Sequence, residues 1–185
     1  ITADELAASL VDPAPQVRRR ALMALPSLWS SDIASQVDLL DLLNDSDPMV
    51  LEVACFAAGE CPMAEQGAAH RPEPHAEGAP RSGELIARRL AEIAGDHQDP
   101  LVRESAVAAL GALGEPAGSD AVLAACSDRA TIRRRAVLAL TAFDGPEFDA
   151  MLAEMATDVD WQVRQAAEEL LAIGAGQAPG PDLDI

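Results

Sequence analysis

The residues best suited to metal chemistry lie in one stretch of the sequence. Cys61, His70 and His75 supply a thiol and two imidazoles, which are common zinc ligands. Three carboxylates accompany them, at Glu65, Glu73 and Glu77. A structural zinc site usually brings its ligands in tight pairs on turns, whereas Ala, Pro and Gly fill long gaps here. The spacing therefore favours a segment without fixed structure, and we expect no metal and no cofactor.

Two arginine triplets, at residues 18–20 and 133–135, could in principle bind anions such as phosphates. All 13 basic residues are arginines, but 31 Asp and Glu residues give the chain a formal net charge of -18 at pH 7. A surface this acidic repels the phosphates of DNA and RNA. We therefore expect no nucleic-acid partner.

The sequence contains no recognisable catalytic motif. It has no glycine-flanked serine elbow, no His-Glu-x-x-His, no phosphate-binding loop and no dinucleotide fingerprint. Its carboxylates are spread as on a solvated surface. Cys55 and Cys126 fall at helical positions where a thiol behaves as a small apolar side chain. We expect a protein that is not an enzyme.

The composition suits one core made mostly of small aliphatic residues. The 185-residue chain is 49% hydrophobic but only 3% aromatic, which favours closely packed helices. No apolar run approaches the roughly 20 residues that a membrane span needs, and no signal-like stretch opens the chain. The odd number of cysteines fits a reducing compartment. These features predict an acidic cytoplasmic protein that does not bind membranes.

One short pattern occurs five times: a branched residue, the anchor, is followed four positions later by Ala. The anchors are Val17, Val50, Val102, Ile132 and Val163. The position eight beyond each anchor is also apolar, so the three residues lie on one stripe of a helix. The repeat is about 30 residues long once residues 62–83 are set aside.

Each interval between anchors has room for a second helix. The candidate segments are 2–10, 31–43, 83–94, 116–126 and 146–156. No segment shows the sustained alternation of a strand. Helical hairpins of this period stack so that each buries its apolar face against its neighbours. The pattern predicts an all-α fold, an α-solenoid of about five stacked antiparallel helix pairs.

The helix ends also carry sequence signals. Thr2 with Glu5, and Asp144 with Glu147, have the spacing of capping boxes. Three glycines are predicted to stop or bend the second helices, namely Gly111, Gly114 and Gly174. Glu168 replaces the apolar residue found at the same position of the earlier repeats, which is typical of a C-terminal cap.

The predicted domain organisation is a single solenoid over residues 1–173. Its repeats span approximately 1–29, 30–61, 83–114, 115–143 and 144–173. Residues 62–83 contain four Pro and three Gly and are predicted to be a flexible insert. Residues 174–185 are predicted to be a disordered tail.

The turns before the second helices identify a family resemblance. An Asp precedes the turn, and Val-Arg follows it, as in residues 12–18 and 158–164. With Ala four positions on and Leu eight positions on, this pattern resembles HEAT repeats of the short prokaryotic, armadillo-type kind. The resemblance covers residues 2–173 apart from the insert.

The resemblance implies a ladder of hydrogen bonds between turns and neighbouring repeats. Its members would be Asp12, Asp45 and Asp158 with Arg18, Arg103, Arg133 and Arg164. The sequence departs from the pattern at Leu51, where Arg is expected, and at His97 and Ser127, where Asp is expected. The ladder is therefore expected to be weaker beside the insert.

The helix face opposite the buried stripe is the predicted partner-binding surface. On a helical wheel it takes positions one before, two after, six after and nine after each anchor. Large apolar residues occupy many of these positions: Met23, Met49, Phe56, Leu101 and Leu138. Charged residues border them: Arg19, Glu52, Glu104 and Arg134. An apolar surface with a charged border is typical of a protein-binding site.

These observations predict a non-catalytic scaffold or adaptor. Its concave face would bind another protein or a neighbouring domain of the same chain. Some HEAT-like proteins resemble bilin lyases, so an enzyme or accessory factor of that kind is one alternative. A metal-responsive module acting through residues 62–83 is another. The insert or the curvature of the solenoid could also cover the apolar residues.

Overall fold

A computed structural model of the chain describes residues 1–34, 36–61 and 82–174. These residues form eleven α-helices and one 3-10 turn, and they contain no strand. The predicted all-α solenoid is confirmed. The predicted insert, apart from its last two residues, and the predicted tail, apart from its first, lie outside the described residues. No described helix is long and apolar enough to cross a membrane.

The helices form five consecutive pairs, if the divided first member of the second and fourth pairs is counted as one. The first pair is α1 (Ala3–Leu10) and α2 (Pro15–Leu28). The second is α3 (Ser31–Ala34) and α4 (Leu39–Leu42) with α5 (Pro48–Glu60), and the third is α6 (Ser82–Asp96) and α7 (Pro100–Leu113). The fourth pair consists of a 3-10 turn (Pro116–Gly118) and α8 (Ser119–Ala125) with α9 (Ala130–Leu140). The fifth pair is α10 (Pro146–Met155) and α11 (Trp161–Gly174).

The second helices α2, α5, α7, α9 and α11 stack on one another in a continuous layer. Their anchors form the centre of the core: in repeats two to five each anchor is at most 1% exposed. In the first repeat Val17 is 40% exposed. The layer of second helices therefore carries the core stripe that the sequence pattern predicts.

Small residues allow the second helices to approach closely. Gly111 lies inside α7, and a Cβ atom at this position would be 2.7 Å from the Cβ atom of Ala139. Gly111 therefore does not end the helix, and the absence of a side chain there lets α9 pack closely. Gly114 does end α7, in a left-handed conformation with φ of 60°. Gly174 is the last residue of α11.

Two predictions about the first helices need correction. The single helix predicted over residues 31–43 is divided into α3 and α4, because Asp38 caps a new start by accepting a hydrogen bond from the Leu40 amide. Asp144 and Glu147 do not form a capping box, because α10 begins after Gly145 with no side-chain cap. The predicted capping box of Thr2 and Glu5 is present.

Candidate functional site

Five large apolar side chains on the second helices are exposed to solvent. Their exposed fractions are 59% for Met23, 59% for Met49, 52% for Phe56, 62% for Leu101 and 44% for Leu138. They lie on four consecutive helices of the layer, on the side away from the core. We call the surface defined by these five residues the groove face. The helical register derived from the sequence places all five on the exposed side, as the structure does.

The charged residues at the border of the groove face change sign along the stack. Arg19 is on the first repeat, Glu52 and Glu104 are on the second and third, and Arg134 is on the fourth. Arg135 also reaches toward the third repeat, and its Nη2 atom lies 3.6 Å from Oε1 of Glu104. The border is therefore basic, then acidic, then basic.

Clefts between successive second helices divide the groove face. Met23 and Met49 line a cleft of about 190 Å³ beside Arg19. Phe56 and Glu104 line one of about 310 Å³ in the middle of the stack. A linear series of small clefts suits side chains that project from one segment of a partner.

A third cleft, of about 260 Å³, adds a residue that the sequence analysis missed. Trp161 lines it together with Arg134 and Gln162, and the indole side chain is 61% exposed. Trp161 stands two positions before the anchor Val163, a position that the helical wheel did not include. A large aromatic residue where three of the other repeats have Pro is the signal that could have found it.

A ladder of two-bond ion pairs joins neighbouring repeats and fixes the layer that carries the groove face. Arg18 donates from Nε and Nη2 to the two carboxylate oxygens of Asp45, at 2.6 and 2.8 Å. Arg133 does the same to Asp158, at 2.7 Å for both bonds. Two parallel bonds of this kind fix orientation as well as distance.

Each ladder arginine also holds the turn before its own helix. The Nη1 atom of Arg18 donates to the Asp12 carbonyl at 2.8 Å, and that of Arg164 donates to the Asp158 carbonyl at 2.6 Å. One guanidinium thus ties its own turn to the turn of the next repeat. This arrangement sets the angle at which successive second helices present the groove face.

The fourth repeat corrects one expectation. Ser127 was expected to leave a gap in the ladder, but Asp128 fills the position, because the turn before α9 is one residue shorter than the others. Arg103 donates to both oxygens of Asp128, at 2.8 and 2.9 Å. A pattern read at fixed spacing from the anchor misses this shift.

The ladder is interrupted between the second and third repeats. Leu51 replaces the donor and His97 replaces the acceptor, so both halves of this ion pair are missing together. The Nδ1 atom of His97 still accepts a hydrogen bond from the Asp99 amide at 3.1 Å. His97 therefore keeps the turn-capping role of the ladder aspartates and loses only the bond between repeats.

The ion pairs shift the acidity of the ladder carboxylates. The guanidinium of Arg18 lowers the pKa of Asp45 below its ordinary value of 3.8. Arg103 and Arg133 lower the pKa of Asp128 and Asp158 in the same way. Hydrogen bonds donated to the charged form are the main cause.

The cysteine side chains are buried and poorly suited to nucleophilic chemistry. Burial raises the pKa of the thiols of Cys55 and Cys61 to about 12, and that of Cys126 to about 11. Cys61 was predicted to belong to a flexible stretch, but it is the C-cap residue of α5 and is 2% exposed.

The potential metal ligands are not assembled in the described part of the chain. No group of three or more His, Cys, Asp or Glu residues there has the arrangement of a metal site. The remaining candidates, His70, His75, Glu65, Glu73 and Glu77, lie outside the described residues.

Comparison with known families agrees with this architecture. A family model for HEAT repeats matches residues 87–172. The chain is a HEAT-like α-solenoid. A second family model, described as non-SMC mitotic condensation complex subunit 1, matches residues 2–71 of the HEAT-like solenoid. No curated protein sequence matches this chain significantly.

Several solved structures share the fold of the HEAT-like solenoid. The complex of CpcE and CpcF of phycocyanin lyase from Nostoc sp. PCC7120 has a TM-score of 0.62 and 18% identity, over 92% of this chain and 97% of that chain. An engineered protein has a TM-score of 0.61 and 19% identity, over 96% and 83% of the two chains. A designed armadillo repeat protein in complex with the peptide (KR)4 has a TM-score of 0.55 and 17% identity, over 90% and 79%. At these identities the likeness concerns the fold.

Proposed function

We propose that this HEAT-like solenoid is a non-catalytic scaffold that binds another protein through the groove face. The observation that carries the proposal is the row of five apolar side chains, each between 44% and 62% exposed. Soluble proteins rarely expose such a row without a use for it. Completely burying an exposed side chain of this size contributes roughly 1.5 to 3 kcal/mol, so covering the exposed half of each contributes roughly half of that, before the costs of association are subtracted.

The shape and the charges of the groove face describe the partner. Successive clefts at the helix junctions fit apolar side chains spaced along one extended or helical segment. The border changes from Arg19 to Glu52 and Glu104 and back to Arg134. A matching segment would therefore have a basic centre and acidic ends, which sets the register of binding, although the same charge order read from either end does not select its direction.

Phe56 is the expected energetic centre of the interface. It lies on α5, its ring is 52% exposed, and it lines the cleft of about 310 Å³. Aromatic residues in central pockets usually contribute most to binding. Leu138 lies on α9, so a pair of substitutions at these two positions would remove apolar contacts from two separate parts of the groove face.

The test compares partners captured from a lysate of the source cells by the wild-type chain and by the double variant Phe56→Ser with Leu138→Ser. The partner is identified by mass spectrometry and its affinity is then measured with purified protein. We expect the double variant to keep its helicity and melting temperature and to bind more weakly by on the order of 2 kcal/mol or more. The matched control is Leu85→Ser with Val159→Ser, two exposed apolar residues outside the groove face.

Two results would contradict the proposal. Unfolding of the double variant would show that Phe56 and Leu138 stabilise the fold, and unchanged affinity would place the interface elsewhere. The non-catalytic assignment is tested separately, by adding tetrapyrroles and thiol acceptors to the purified protein. A new covalent adduct or a shifted absorption band would favour the lyase-like alternative.

A further inference from the structure

One buried hydrogen-bond donor beside the groove face has no partner. The Nε atom of Arg19 is shielded from solvent, and among the described residues it is the one buried side-chain nitrogen or oxygen without a hydrogen bond. The ladder arginines Arg18 and Arg133, in contrast, each donate from Nε to an aspartate. Buried donors in folded proteins are normally paired, so this exception needs an explanation.

The position of Arg19 in its repeat explains why it lacks a partner. Arg19 lies two positions after its anchor, as Glu104 does in the third repeat. Glu104 faces the following repeat, where its Oε1 atom lies 3.6 Å from Nη2 of Arg135. The residue of the second repeat that corresponds to Arg135 is Val53, which is apolar and 8% exposed. Arg19 therefore faces a neighbouring helix that offers no carboxylate at that position.

The cleft beside Arg19 has the charge that an acidic ligand needs. It lies between α2 and α5, and its charged lining residues are Arg19, Arg20 and Asp47. The Asp47 carboxylate caps α5, because its Oδ1 atom accepts hydrogen bonds from the Met49 and Val50 amides at 2.9 and 3.2 Å. Two arginines against one aspartate leave a net positive charge in this cleft, on a chain whose formal net charge is -18.

Two methionines form the apolar part of the same cleft. Met23 and Met49 line it, and both side chains are 59% exposed. The unbranched thioether side chain adapts its shape to aliphatic groups of different sizes. The cleft therefore combines a guanidinium that has an unpaired donor with an adaptable apolar wall.

We propose that this cleft binds a glutamate side chain of the partner segment, with a neighbouring aliphatic residue of that segment packed on Met23 and Met49. The inference rests on the proposed function, since the two methionines belong to the groove face. Arg19 turns toward the ligand and donates from Nε and Nη2 to the two carboxylate oxygens, as Arg18 does to Asp45. Binding thus replaces an unpaired buried donor, which is costly, with a charge-assisted pair.

A carboxylate suits this cleft better than a phosphate group does. Both anions accept two parallel hydrogen bonds from a guanidinium. A phosphate monoester, however, carries about 1.5 to 2 negative charges at pH 7, and an acidic surface repels it more strongly than a singly charged carboxylate. Asp47 in the same cleft adds to this difference.

The experiment follows the Arg19 side chain by NMR in the full chain with isotope-labelled arginine. The probes are short capped peptides in which Glu, Gln or phosphoserine stands between two leucines. The Glu peptide should shift the Nε–Hε signal of Arg19, and the uncharged Gln peptide should bind roughly tenfold more weakly. The signal of Arg88, an exposed arginine of α6, is the internal control and should not move.

The variant Arg19→Lys keeps the positive charge but has neither the Nε donor nor the planar fork. It should keep its melting temperature and bind the Glu peptide roughly tenfold more weakly than the wild type, whereas Arg88→Lys should bind it normally. Equal binding of the Glu and Gln peptides would overturn the proposal, as would unchanged binding by Arg19→Lys. Tighter binding of the phosphoserine peptide would overturn it too, because the ligand would then be a phosphate group.

A further comparison separates this inference from the proposed function. Phe56 and Leu138 do not line this cleft, so the double variant Phe56→Ser with Leu138→Ser should bind the Glu peptide normally. If that variant also keeps its affinity for the captured partner, the proposed interface is wrong and the glutamate site stands. If it loses the partner and the wild-type chain does not distinguish Glu from Gln, the interface stands and the glutamate site is wrong.

Discussion

Gly111 of α7 lies against Ala139 of α9 so closely that there is no room for a Cβ atom between the two helices. A Cβ atom at position 111 would be 2.7 Å from the Cβ and 2.8 Å from the Cα of Ala139. A Cβ atom at position 59 would likewise be 3.0 Å from the Cα atom of Ala109. These contacts draw the second helices together on one side of the stack.

The variant Gly111→Ala is therefore expected to lower the free energy of unfolding by about 1 to 2 kcal/mol, because overpacking outweighs the better helix propensity of Ala. The control is Gly95→Ala in α6, where nothing lies within 4 Å of the added methyl group. That substitution should stabilise the fold by about 0.5 to 1 kcal/mol. Urea denaturation of both variants measures the difference. Equal effects would show that α7 and α9 can separate at little cost.

The ladder arginines should contribute to stability well beyond ordinary surface ion pairs. Arg103→Ala removes both bonds to Asp128 and leaves that carboxylate partly buried, and it also frees the His97 carbonyl. We expect a loss of about 1 to 3 kcal/mol. Arg88→Ala is the matched control: Arg88 is exposed, and among the residues that the structure describes it pairs with Glu84 one turn away, a kind of pair that usually contributes less than about 0.5 kcal/mol. An unchanged denaturation midpoint for Arg103→Ala would contradict this role.

Acid should weaken the stack through the ladder carboxylates. The pKa of Asp128 is lowered in the folded state from an ordinary value of 3.8, mainly by the bonds from Arg103. Its stabilising contribution is therefore complete above the unfolded pKa and is lost as the pH falls through the folded one. Asp128→Asn should be less stable than the wild type at pH 7, and the two should converge at low pH. Denaturation curves recorded from pH 7 downward test this; a constant difference at all pH values would exclude the linkage.

The buried thiols should be protected in the folded state. Cys55, Cys61 and Cys126 are each at most 2% exposed, and burial raises the pKa of all three. A colourless aromatic disulfide reagent at pH 8 should react slowly with the native chain. After addition of denaturant it should react rapidly with all three thiols. A rapidly reacting thiol under native conditions would instead identify a candidate nucleophile.

The sequence was sufficient to predict the core stripe and the exposed face, because both depend on helical periodicity. Val102 is an anchor, and Leu138 lies six positions after the anchor of its own repeat. This difference in position alone places Val102 in the core and Leu138 in solvent. Helical periodicity depends on where the apolar residues fall and not on which apolar residues they are, so it was also sufficient to predict the all-α fold.

Other features depend on contacts between repeats, which a single repeat does not encode. Gly111 looks like a helix terminator until Ala139 is placed beside it. Asp128 looks misplaced until its turn is seen to be one residue shorter. Cys61 follows the last periodic residue of its helix and is buried only because the fold covers it. Sequence periodicity alone did not reveal these relationships.

Because of the gap in the ladder at Leu51 and His97, the stack has two kinds of interface between consecutive repeats. Protonation removes the ion pairs that join repeats one to two, three to four and four to five. The interface between repeats two and three contains no such pair among the described residues. It has the buried Leu51, which is 5% exposed, the close packing at Gly59 and Ala109, and one hydrogen bond from Nε of Arg89 to the Leu43 carbonyl at 3.3 Å. Apolar contacts of this kind weaken on cooling and do not respond to protonation. Acid should therefore detach the outer repeats first and leave the central pair, whereas cold should loosen the centre.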